Sequence, residues 1–270
     1  MRKVVLVVGS MALAILLGGG VAQAIINGEP DRGSEAHPYV GALVTVPPSG
    51  EFEGQRIPVC SGTLISARVF LTAGHCTELL MKEDLPSYVS FDSTYKPRSS
   101  KVIKATPHTH PKFCNAGKEG CPRYDAGVVV LKKSVRKATY GALPDAGLVD
   151  TLKEGKRLTT VGYGANRFDL VSKPPLQPVY TDNRYRATVG LLHTKSPALG
   201  EMFVKTTGVS LIKGKGGGSC FGDSGGPLFV GDQQTIVGVT SWGSPRVCRG
   251  PVYYQRVDLP RVLKWVRSFP

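Results

Sequence analysis

Short apolar, β-branched runs recur along this chain, and turn-forming residues cut them apart, a rhythm that few folds accommodate. The runs cover residues 40–46, 69–73, 101–105, 128–131, 158–162, 187–193, 202–206, 227–230 and 235–242. Between them lie Pro47-Pro48-Ser49-Gly50, Lys96-Pro97-Arg98-Ser99, Lys173-Pro174-Pro175 and the glycine-rich stretch 213–218. Many short strands at regular spacing predict a sandwich or a barrel. The 33 glycines and 20 prolines suit tight turns and oppose long helices. One helix is expected, at the C-terminus. Val262, Trp265, Val266 and Phe269 share a face there, with Asp258 as a candidate cap.

At 270 residues and 41% hydrophobic content, the chain can build one large all-β unit or two small domains. Residues 1–24 read as a cleaved signal peptide. Arg2 and Lys3 precede an apolar stretch, and Ala22-Gln23-Ala24 is a small-x-small cleavage site. A membrane anchor is disfavoured by Gly9, Ser10 and Gly18-Gly19-Gly20, which interrupt the apolar run. The protein is therefore expected outside the cell, with no stable membrane anchor. Net charge is +14, or +12 once Arg2 and Lys3 leave with a segment that holds no acid. The basic residues are scattered, which fits a solvated surface better than a nucleic-acid site.

The six cysteines Cys60, Cys76, Cys114, Cys121, Cys220 and Cys248 form an even set in an exported chain, and so read as three disulfides. No C-x-x-C spacing suggests zinc. His108-Thr109-His110 lacks nearby carboxylate or thiol ligands, and His37 and His193 sit in no motif, so no metal is expected. The run 214–218 is not followed by the Lys-Ser/Thr pair of a phosphate loop.

Two stretches carry chemistry. Thr72-Ala73-Gly74-His75-Cys76 places an imidazole just after an apolar strand. Gly222-Asp223-Ser224-Gly225-Gly226-Pro227 brackets a serine with glycines. A serine hydroxyl is a weak nucleophile until a base takes its proton, and neutral imidazole suits that role near pH 7. The flanking glycines let the amides of Gly222 and Ser224 converge on one oxyanion. A third partner is needed to orient the imidazole. Asp125, just before an apolar strand, is the first candidate, with Asp145 and Asp92 as alternatives in turn-like contexts.

These two motifs, in the order His, Asp, Ser, resemble the signatures of the chymotrypsin/trypsin family of serine proteases. The similarity runs through the mature chain: Ile25-Ile26-Asn27-Gly28, Tyr124-Asp125-Ala126-Gly127, Val161-Gly162-Tyr163-Gly164 and Ser241-Trp242-Gly243 each resemble a family element. The resemblance implies two antiparallel six-stranded β-barrels, 25–145 and 146–270, the second ending in a helix. The stretch 137–150 would connect them, and the active site would lie in the cleft between. It implies an endopeptidase acting through an acyl-enzyme, with His75, Asp125 and Ser224 as triad and no cofactor. Ser241, Trp242 and Gly243 would pair with substrate backbone. A freed Ile25 amino group would pair with Asp223.

The resemblance further implies disulfides Cys60–Cys76 and Cys220–Cys248, which leaves Cys114 with Cys121, a pair outside the commonest family pattern. Gly218 would lie at the base of the specificity pocket, Gly243 on its wall and Val252 in its interior. A one-residue slip would substitute Pro251 or Tyr253 for Val252. Such a pocket predicts preference for small or medium apolar residues over Lys and Arg. The expected partners are protein or peptide substrates and a protein inhibitor, with the enzyme itself a monomer. Two other classes fit the same residues: a catalytically silent binding protein on this fold, and an esterase using the triad.

Overall fold

The computed structural model describes residues 25–33, 36–115, 121–169, 177–195, 200–209, 216–231, 234–243 and 248–270. The segment 1–24 read as a signal peptide, the Lys173-Pro174-Pro175 turn and half of the run 213–218 lie outside them. After a two-residue strand β1 (Glu29–Pro30), six strands close a barrel. They are β2 (Val40–Thr45), β3 (Ile57–Leu64), β4 (Val69–Thr72), β5 (Ser87–Ser90), β6 (Ile103–Thr109) and β7 (Gly127–Leu131), in the order β2-β3-β4-β7-β6-β5. β2, β4 and β7 are rich in Val, Leu or Phe, and β2 and β4 are buried throughout.

A second barrel uses β8 (Arg157–Gly162), β11 (Tyr185–His193), β12 (Phe203–Thr206), β13 (Pro227–Val230), β14 (Thr235–Gly243) and β15 (Val252–Arg256). Pairing of β8 with β11 closes it. A small hairpin, β9 (Ala165–Asp169) with β10 (Gln177–Tyr180), stands apart. The two barrels and the terminal helix α2 (Pro260–Val266) agree with the all-β expectation.

Two features correct the sequence reading. Gly74–Lys82 forms a second helix, α1, beginning one residue before His75. Cys76, Thr77 and Leu80 face inward, while Leu79 and Met81 are exposed, which blurs the amphipathic signal. The cap of α2 is Leu259, followed by Pro260 at the first helical turn. Asp258 is instead fully buried and accepts from Arg256 and from the amide of Val149. That carboxylate serves a buried guanidinium, which outweighs any capping role.

The two ends of the fold cross over. Ile26 exchanges two 3.1 Å backbone bonds with Gly218, and β1 pairs with Tyr185 and Arg186 of the second barrel. Buried Asp31 fixes this strap: its carboxylate accepts from Arg184 at 2.6 Å and holds the His37 ring at 2.7 Å. At the other end, Val262, Leu263 and Val266 join the core that includes the first barrel. Trp265 meets His110 edge-on, and Phe269 meets His108. Stacking of His110 on Tyr124 completes an aromatic setting for both histidines. No helix among the described residues is long and apolar enough to cross a membrane.

Candidate active site

His75 is the second residue of α1, three residues past the end of β4, so its position follows from the end of that strand. Asp125 precedes β7, the neighbour of β4, and the pairing of Thr72 with Gly127 brings the two side chains together. The backbone amide of His75 donates to Asp125 Oδ1 at 2.8 Å, and Nδ1 lies 2.8 Å from Oδ2. A third donor, Ser241 Oγ of β14, also reaches Oδ2. The alternatives Asp145 and Asp92 are not part of this cluster: Asp92 accepts from the amide of Lys101.

The electrostatics follow from burial and charge. Asp125 is 3% exposed. Burial alone would raise its pKa, but the His75 charge and the hydrogen bonds of His75 and Ser241 bring it below the ordinary value. Burial pulls the imidazole of His75 down, yet the opposing charge and hydrogen bond of Asp125, with Glu78 one turn along α1, leave its pKa raised. Engagement of Nδ1 by a carboxylate selects the Nδ1–H tautomer and leaves Nε2 as the basic atom.

Ser224 comes from the second barrel. Its carbonyl accepts from the amide of Ser61 on β3 at 2.8 Å, which seats the serine turn on the first barrel. The turn needs its glycines. Gly225 has φ +78, and a Cβ there would lie 2.0 Å from Thr72 Oγ1. Gly222 has φ +91, and its carbonyl accepts from Ser61 Oγ at 3.0 Å. Among the described residues, neither the Gly222 nor the Ser224 amide donates a hydrogen bond within the protein. Asp223 is buried and accepts the amides of Cys220 and Gly164, each at 2.8 Å. Burial is the larger influence and pushes its pKa up to about 7.

A family model described as Trypsin matches residues 25–266. The chain belongs to the trypsin family. A trypsin of Saccharopolyspora erythraea is 30% identical over 238 residues, covering 86% of this chain and 93% of that protein. A chymotrypsin-like elastase of Canis lupus familiaris is 27% identical, covering 80% of this chain and 82% of its own. Among solved structures, an HL collagenase superposes with a TM-score of 0.67 at 21% identity, over 90% of this chain and 97% of that one. Human heparin binding protein superposes at 0.63 and 20% identity, over 91% and 96%. These two likenesses speak to the fold alone.

Two cavities flank Ser241 and Trp242 in this trypsin-family chain. One, of about 520 Å³, is bordered by His75, Glu78, Phe113 and Pro122. The other, of about 390 Å³, is lined by Ser219, Ser224, Gly243 and Val252 among others. Pro251 and Tyr253 do not line it; Tyr253 stacks on Trp242 at 3.7 Å. Gly218 does not line it but turns its backbone to Ile26, and from that segment Ser219, Cys220 and Phe221 border the cavity. Ser219 Oγ lies 3.0 Å from both Thr160 Oγ1 and Tyr254 Oη. No charged side chain among the described residues lines this cavity.

The three disulfides are Cys60–Cys76, Cys114–Cys121 and Cys220–Cys248. Cys60 and Cys76 crowd His75 closely enough to resemble a metal cluster, but disulfide bonding leaves no thiolate to coordinate. Sequence reasoning did not find Gln255, which donates to two carbonyls and accepts from the amide of Asp125.

Proposed function

We propose that this chain is a secreted serine endopeptidase that cleaves peptide bonds through an acyl-enzyme. The observation that carries this reading is the joint hold of His75 and Ser241 on buried Asp125, beside the cavity that Ser224 borders. His75 Nε2 takes the proton of Ser224 Oγ as that oxygen adds to the scissile carbonyl. The amides of Gly222 and Ser224 meet the oxyanion. His75 then returns the proton to the leaving amine, and a water repeats the sequence on the ester. Asp125 keeps the imidazole in the right tautomer and stabilises its cation; it does not take the proton. A serine-directed phosphonylating reagent tests the assignment. It should label Ser224 alone and abolish cleavage, and label on any other serine would end it.

A second reading has one observation in its favour. The net charge is +14, and one fold neighbour is a heparin binding protein, so the chain could be a polyanion-binding protein on a protease fold. Phosphonylation separates the two, because a silent site does not react.

The pocket predicts selectivity. With Val252 inside and no carboxylate among its described lining residues, it has nothing to pair with a guanidinium. Val252 Cγ2 comes within 3.9 Å of where a Gly243 side chain would begin, so the space narrows there. Anilides ending in Val or Leu should be hydrolysed at least about tenfold faster than one ending in Arg, a difference of about 1.4 kcal/mol. Preference among apolar residues should be shallow, about 1–3 kcal/mol per methylene. A dominant rate on the Arg anilide would refute the pocket.

Activation is expected to follow from export. Signal peptidase cutting after Ala24 would leave Ile25 as the amino terminus, with no further propeptide. The Ile25 side chain is fully buried against Tyr185 and Ala187, and among the described residues the buried carboxylate of Asp223 accepts hydrogen bonds from two backbone amides alone. An ammonium paired with Asp223 would lower the carboxylate's pKa and have its own raised above the usual range of about 7.7–8.0. The pair exists only while the amine is protonated, so activity should decline as pH rises through that raised value. Mass analysis of active secreted enzyme decides it, since any start other than Ile25 contradicts the proposal.

A further inference from the structure

Asp125 sits in an irregular turn. Tyr124 before it has a left-handed backbone (φ +51), Ala126 N–H bonds back to Tyr124 O at 2.7 Å, and the β7 ladder begins only at Gly127. The Asp125 amide therefore has no ladder partner. It donates instead across the barrel interface to Gln255 Oε1 at 2.8 Å. Gln255 lies on β15 of the second barrel and is fully buried. Its Nε2 donates to the carbonyls of Met202 and Arg256, each at 3.1 Å. Every polar atom of the carboxamide is thus engaged. The amide cannot flip, because a flip would set its N–H groups against the Asp125 N–H and its oxygen against two carbonyls.

Three donors fix the Asp125 side chain; its own amide is held by one bond from the other barrel, while the next carbonyl, of Ala126, accepts from the His110 amide at 3.0 Å. We propose that Gln255 is a positioning residue for catalysis: it latches the Asp125 backbone so that Oδ2 meets His75 Nδ1 and Ser241 Oγ together. The inference rests on the reading of Asp125 as the group that orients His75. The same strand carries Val252 in the pocket, three residues earlier, so β15 serves both substrate side chain and triad from one rigid element.

The test is Gln255→Met, close in size but lacking the carbonyl. Concentrations are corrected by active-site titration, and kcat, KM, the pH profile and the thermal midpoint are measured. With the bond lost, kcat should fall about ten- to a hundredfold, with KM little changed, since small misplacements of this kind are costly. The acid limb of kcat/KM should move to lower pH. His75 faces the carboxylates of Asp125 and Glu78, and a loosened Asp125 supports the imidazolium less. Gln255→Glu, which retains an oxygen for the Asp125 amide, should recover much of kcat when its buried acid is neutral.

If Gln255→Met does not fold, Gln255→Asn withdraws the same carbonyl by one methylene and should show the same loss. A lowered midpoint with wild-type kcat and acid limb would reduce Gln255 to a structural residue and overturn the proposal. Asp125→Asn separates the two levels. If it is inactive while Gln255→Met is unchanged, only the present inference fails; if it is fully active, the triad reading fails and takes this one with it.

Discussion

Replacing Ser224 with alanine is expected to lower turnover by about 10⁶-fold, the size seen when the nucleophile of a serine protease is removed. The loss is chemical, not structural. Among the described residues Ser224 Oγ makes no hydrogen bond, whereas the backbone carbonyl that seats the turn on Ser61 survives the change. The flanking geometry of Gly222 and Gly225 is untouched, so the thermal midpoint should move little. Residual hydrolysis would come from oxyanion donors and substrate alignment, which can still supply about 10³–10⁴-fold over water. Peptide cleavage and a melting curve on one preparation check both halves. Cutting at near wild-type rate would show that the nucleophile lies elsewhere.

Asp125→Asn should cost about 10⁴-fold in kcat, the size known for this change in the same family. The carboxylate now accepts three hydrogen bonds, from His75 N–H, from the His75 ring and from Ser241. A carboxamide has only one oxygen to accept with, and its NH₂ would face either a donor or an imidazole pushed into the wrong tautomer. His75 would then present Nε2–H to Ser224, and a protonated nitrogen cannot take a proton. Losing the negative charge also removes the largest influence that raises the His75 pKa against its burial. The acid limb of any remaining activity should therefore shift to lower pH. A rate profile from pH 5 to 9 measures both effects, and an unshifted limb at wild-type rate would rule out Asp125.

The barrels were legible because their strands are written in β-branched and aromatic residues. The runs at 40–46, 69–73 and 128–131 became β2, β4 and β7. What escaped notice lacked that signature. β1 is two exposed residues, Glu29 and Pro30, held by a long-range partner and not by its own propensity. The β9–β10 hairpin includes Pro178, which argues against a strand on local grounds. Helix α1 begins on Gly74, contains β-branched Thr77 and buries barely one turn, so its helicity comes from packing under His75.

The candidate site was legible where chemistry demands a local motif, as around His75 and Ser224. Gln255 left a fainter trace. Gln255 and Arg256 stand side by side in a strand that is otherwise apolar or aromatic, and both are buried. Adjacent polar residues in such a strand announce satisfied partners elsewhere, but only the fold says which.

The crossed ends have a consequence for the order of events in making the protein. The strap after Ile25 finds its partners in Gly218 and Tyr185, and the first barrel receives Trp265 and Phe269 only from the last helix and the residues just after it. A ribosome delivers the first barrel long before its cap exists, and the strap waits through most of translation for a surface to pair with. Stable closure is thus deferred until the whole polypeptide is available, and such sequence-distant pairing makes folding slow. Trimming the final helix should accordingly be felt at His110 and Tyr124, next to Asp125, and trimming the strap in the barrel that carries Ser224.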